Sequence, residues 1–191
     1  MQVDYEVEIG PDAPALELPW KSEDGAVRYF DLKADLALIS KIPEAAGCPE
    51  LAAFLSRINA AEFPLQTAKC DLWQTRELSD EERIFNAECK CGSYIDLLFA
   101  AEQPRFSLES HESLARELCA LLRRAPETPA SVEFVIRQCH YHSQAESQSS
   151  SAGFYVTAYV SGFDDDDEGS RLRWAIALKL VQHALVQWAS R

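Results

Sequence analysis

Residues 85–100 read FNAECKCGSYIDLLFA, and their reading decides the fold class. Phe85, Ala87, Cys89 and Cys91 alternate with Asn86, Glu88 and Lys90, a period of two that puts one set on each face of a strand. Gly92-Ser93 reads as a hairpin turn, and Tyr94–Ala100 as a second strand whose apolar set is Ile95, Leu97 and Phe99. Upstream, Lys69–Thr75 also alternates, with Cys70 and Leu72 on one face and Trp73 on the other, and Ser79-Asp80-Glu81-Glu82 makes the intervening turn. Three consecutive strands with no helix between them argue for an antiparallel sheet.

Helices are expected on either side of this block. Cys48-Pro49 opens the first, because proline fits a first turn where no N–H is needed; Leu51, Phe54, Leu55 and Ile58 form its buried stripe, and Pro64 closes it. The second spans about Ser110 to Arg124, with Leu114, Leu118, Leu121 and Leu122 inward and Pro126 and Pro129 beyond. Val132–His142 and Phe154–Ser161 read as strands joined by the Ser/Gln-rich stretch 143–152, a mobile connection. The last helix fills Arg171–Ala189. At the start, Val3, Tyr5, Val7 and Ile9 alternate with acids as a strand, residues 11–25 form a loop around Leu16-Glu17-Leu18, and Val27–Leu32 is a second short strand after an Asp24-Gly25 turn. The whole is an α+β single domain over residues 1–191, with N-terminal strands and loops over 1–47 and a core over 48–190. Its order is ββ-α-βββ-α-ββ-α, an antiparallel sheet of at least five strands with three helices packed on it.

The α-βββ-α-ββ-α order over residues 48–190, joined to the acidity, resembles class I type III secretion chaperones. That resemblance implies a small dimeric protein that holds an unfolded segment of a partner.

With 18 basic and 31 acidic side chains the net charge is −13, and the composition is 47% hydrophobic, so the chain can bury a sizeable core but lacks a phosphate-binding surface. The tight basic pair Arg123-Arg124 belongs at a helix C-terminus. Nucleic acid is therefore excluded as a partner. Apolar runs are broken well before membrane-spanning length, and Met1–Glu8 has no signal-peptide character, so the expected location is cytoplasmic. Six cysteines (Cys48, Cys70, Cys89, Cys91, Cys119, Cys139) are then thiols rather than disulfides.

The chemistry-bearing candidates are few. Cys89 and Cys91 share a strand face, as do His140 and His142, so the four would make a tetrahedral metal site if the two pairs met. Cys139 and His140 point to opposite faces and form no dyad, whereas Cys48 stands where a helix dipole lowers a thiol pKa. His111-Glu112 begins like a zinc-protease helix, but Ala115 stands where the second histidine belongs. Asp164–Glu168 reads as an acidic helix start rather than a cation loop. No cofactor is expected.

The final helix carries more signal. Trp174, Leu178, Val181, Leu185 and Trp188 recur at spacings of four and three, and Leu172, Ile176 and Leu180 lie on another side. A helix apolar on more than one stripe needs cover from more than one direction, which makes these eight residues interface candidates for a homodimer or a protein partner. The expected function is a non-enzymatic protein-binding or chaperone-like domain. The alternative is a metal-dependent or thiol enzyme using Cys89, Cys91, His140 and His142.

Overall fold

In the computed structural model, residues 1–10, 13, 15–21, 28–78, 84–142 and 150–191 are described. The elements are β1 (Gln2–Glu8), β2 (Leu16–Leu18), α1 (Pro43–Ala46), α2 (Pro49–Ile58), β3 (Leu65–Thr75), β4 (Cys89–Phe99), α3 (Glu102–Arg105), α4 (Leu108–Leu122), β5 (Ala130–His142), β6 (Ser150–Asp164) and α5 (Asp167–Ala189). Two 3₁₀ segments, Leu36–Lys41 and Ile84–Asn86, complete them. The strands form one sheet in the order β1-β5-β6-β4-β3, with β2 pairing β5 beyond the end of β1.

The α+β class stands, but the sheet is mixed rather than antiparallel, and the described residues form five α-helices where three are expected. β1 and β2 run parallel to β5, while β5–β6, β6–β4 and β4–β3 are antiparallel. Alternation in β1 assigns its faces but says nothing of its direction, and a chain of more than a hundred residues returns to place β5 beside it.

The expected turn at Gly92-Ser93 is absent. Both residues lie inside β4, a single eleven-residue strand. A Cβ on Gly92 would stand 2.8 Å from Trp73 Cε2 and Cζ2, so this glycine makes room for a cross-strand indole instead of a reversal. The strand expected from Phe85 fails at its start, because Phe85 and Asn86 take left-handed φ values of 62° and 54° and turn the chain there. The observed order from α2 to α5 is therefore α-ββ-αα-ββ-α, with one strand fewer and the four-residue α3 more than the order behind the secretion-chaperone resemblance. The second N-terminal strand is Leu16–Leu18, not Val27–Leu32: among the described residues of that stretch only Arg28 bridges, to Lys21. Residues 79–82, 143–149 and the Asp24-Gly25 turn lie outside the described residues; Ser150–Ala152, expected in a mobile connection, begin β6.

α2, α4 and α5 cover one face of the sheet. Leu51, Phe54, Leu55 and Ile58 from α2 pack with Leu114 and Leu118 from α4 and with Trp174, Leu178, Val181 and Leu185 from α5. These meet Ile95, Leu97, Phe134, Ile136, Val156 and Ala158 from the central strands. α5 rests on β6 backbone to backbone: a Cβ on Gly162 would lie 2.1 Å from the Trp174 nitrogen and 2.4 Å from the Ser170 oxygen. The buried Trp174 Nε1 donates to Ser93 Oγ at 2.9 Å, which satisfies both polar atoms.

The second face is covered at one end by the N-terminal segment. There Leu16, Leu18, Leu98, Cys139 and Tyr155 form a small cluster, flanked by Trp20, Tyr29, Ala68 and Tyr141. The N-terminal segment is pinned to the β3 edge by Trp20 Nε1 donating to the Ala68 carbonyl and by Lys33 Nζ donating to those of Ala60, Phe63 and Leu65. At the other end Phe85 packs on the buried Phe163, and between the two ends the described residues leave the face open.

Candidate binding faces

α5 divides its apolar residues between two environments. Its first turn is capped by Asp166, whose carboxylate accepts from the Gly169 N–H at 2.7 Å, so the acidic run Asp164–Glu168 stands at a helix start. Trp174, Leu178, Val181 and Leu185 are buried against the sheet and the flanking helices, and Trp188 is half-buried beside Phe99. The other stripe remains outside: Leu172 is 62% exposed and Ile176 42% exposed, with Leu180 half-buried next to them.

The paired cysteines and histidines are kept apart by the register. Cys91 lies opposite Gly162 of β6, while His140 lies opposite Ala152. Ten residues along a strand correspond to about 33 Å. Cys89 and Cys91 are buried, and His142 instead meets Glu17 of β2. All six thiols are free, and burial raises every one of their pKa values, to about 11 for Cys91 and Cys119 and about 12 for Cys70 and Cys139. Even at Cys48, the α2 cap, burial outweighs the helix terminus. Thiols held protonated are poor nucleophiles and poor ligands. His111 is fully buried on α4, its Nδ1 2.8 Å from the Ser107 carbonyl oxygen and its ring edge-on to Phe99, and burial lowers its pKa. It packs as a neutral core side chain.

The open part of the sheet carries the most organised polar surface. Register places Asp4 of β1, Glu133 of β5, Tyr159 of β6, Tyr94 of β4 and Asp71 of β3 in one row across five strands. Tyr94 and Tyr159 meet at a tilt of 55° with ring centroids 6.2 Å apart, and Trp73 meets Tyr94 at 6.4 Å. All three rings are partly exposed. Arg137 lies over the Tyr159 ring at 5.6 Å, donates to the Tyr159 hydroxyl at 3.0 Å and to Thr157 Oγ1 at 3.2 Å, and pairs with Glu8 at 2.6 Å.

Beside this row sits Asp96, 5% exposed, whose Oδ1 accepts from the Thr157 hydroxyl at 2.7 Å. Burial pushes its pKa up to about 6, against the pull of the Thr157 hydrogen bond, Lys69 and Arg137. Glu133 is also raised, first by burial and then by the neighbouring Glu6 and Asp4 carboxylates.

No family model matches this chain, and neither the curated proteins nor the solved structures contain a significant match to it. The faces themselves must therefore carry the functional argument. Alternation in β3 turns Trp73 away from the apolar side of its strand, but nothing local connects that residue with Tyr94, Tyr159 or Arg137. The signal was present in each strand as a polar or aromatic residue between apolar ones. What joins them into a row is the pairing register, which links positions 4, 71, 94, 133 and 159.

Proposed function

We propose that this chain is a non-enzymatic protein-binding domain that docks a partner on the open face of its sheet. The observation that carries the reading is the partly exposed row Trp73–Tyr94–Tyr159, held rigid by its strands while the opposite face is filled by helices. Rigid aromatic side chains present large contact area at a low entropic cost, which is why they anchor protein interfaces. Cys91 and His140 are held ten residues apart along β6, so the paired cysteines and histidines do not converge on the tetrahedral site of the alternative reading. The outer stripe of α5, Leu172 and Ile176 with Leu180, is assigned in the same reading to a homodimer contact.

The test is affinity capture from native extract using the wild-type chain, Trp73→Ala and Tyr94→Ala in parallel. A partner retained by the wild type and lost by both variants supports docking on the sheet. Equal retention by all three would place the partner elsewhere.

A further inference from the structure

From the row's chemistry we infer that its occupant is an extended cationic peptide segment, with an arginine or lysine side chain over Tyr94, beside the Tyr159 ring that Arg137 already covers, and its charges met by Asp71 and Glu133. The inference rests on the docking reading above and names the partner's chemistry. The two tyrosines are bracketed within one register row by Asp71 on one side and by Glu133 and Asp4 on the other. A ring face attracts a cation, and a carboxylate one strand away adds a second attraction to the same group. The basic side chains already on this face are engaged locally: Arg137 with Glu8, Thr157 and Tyr159, and Lys69 over the Trp20 ring at 4.6 Å. Lys90 stands farther along, opposite Phe163. Glu133 is pushed up first by burial and then by Glu6 and Asp4, with Arg137 and Lys90 pulling the other way, and an incoming cation adds to that pull.

The shape selects an extended polymer over a compact ligand. A row across five strands spans about 19 Å at the usual interstrand spacing, the reach of about six extended residues. The cavity of about 450 Å³ lined by Leu18, Tyr29, Arg105 and Tyr141 lies away from this row. The chain's charge of −13 adds a long-range attraction for a basic segment and a repulsion for a polyanion.

The experiment is fluorescence anisotropy with a labelled decapeptide of alternating glycine and arginine. Alternating glycine–glutamate and glycine–serine decapeptides and a single-stranded oligonucleotide are the comparisons. The arginine peptide is expected to bind, and the others are not. Tyr94→Ala should weaken binding about tenfold, and joint Asp71→Asn and Glu133→Gln should weaken it several-fold, whereas Tyr94→Phe keeps the ring and the affinity. The charge pair and Tyr94→Phe decide the matter even if Tyr94→Ala does not fold. Absent arginine-peptide binding, indifference to the charge variants, or preferential binding of the oligonucleotide would overturn the inference. If the arginine peptide fails while capture from extract is still abolished by Trp73→Ala and Tyr94→Ala, the cationic chemistry is wrong and docking stands. If neither responds, both readings fall.

Discussion

Asp96 shows how one side chain can cost stability where it stands. Its folded pKa of about 6 lies above the ordinary value of 3.8, so the native state holds the proton more tightly than the unfolded chain does. Stability contributed by the protonated form is present at low pH and is lost as pH rises through about 6. A shift of this size corresponds to about 3 kcal/mol. Asp96→Asn keeps an acceptor for the Thr157 hydroxyl and removes the charge. We expect a higher unfolding midpoint than wild type at about pH 8 and no gain at about pH 4. Denaturant melts at the two pH values check this, and an equal gain at both would mean that charge is not the cause. Gly92 teaches the complementary lesson at the same scale. Gly-Ser is a sound turn signal, yet the glycine serves the Trp73 indole on the neighbouring strand, and that indole is nineteen positions away in sequence.

Among the elements, α5 depends on one glycine outside itself. Any side chain at Gly162 would collide with backbone atoms of Ser170, Arg173 and Trp174, which no rotamer change relieves. Gly162→Ala is expected to destabilise by about 1–3 kcal/mol, through lifting α5 from β6. The thermal midpoint measures it; an unchanged midpoint would show that the helix shifts freely. The outer stripe behaves differently. Leu172→Asp with Ile176→Asp alters only exposed positions, so the midpoint of the isolated subunit should hold within about 0.5 kcal/mol. Light scattering should then report a monomer where the wild type reports a dimer. A wild type that stays monomeric at high concentration disposes of the dimer. The spacing of Trp174, Leu178, Val181 and Leu185 was enough to identify the buried stripe. Which remaining stripe stays outside depends on where α2, α4 and the sheet happen to lie.

For the molecule as a whole, β5 is the strand on which the two ends of the chain converge. It pairs with β1 and β2 from the N-terminus and with β6, which leads into α5. The protein is therefore expected to unfold in one transition, seen alike by far-ultraviolet circular dichroism and by tryptophan fluorescence. Removing residues 1–32 should cost more than the strand pairing alone, because Leu98, Cys139 and Tyr155 lose their cover.

The amino-acid order by itself determined the α+β class, the buried stripes of α2, α4 and α5, and the faces of β1 and β5. Each of these follows from periodicities of 2 and 3.6 that act within a few residues. Tertiary structure alone decided that β1 and β2 run parallel to β5, because side-chain alternation is the same in either direction. It also decided that Cys91 and His140 stand at opposite ends of β6, while Asp4, Glu133, Tyr159, Tyr94 and Asp71 share one row. Those placements are set by hydrogen-bond register between strands far apart in sequence, and no local pattern encodes it.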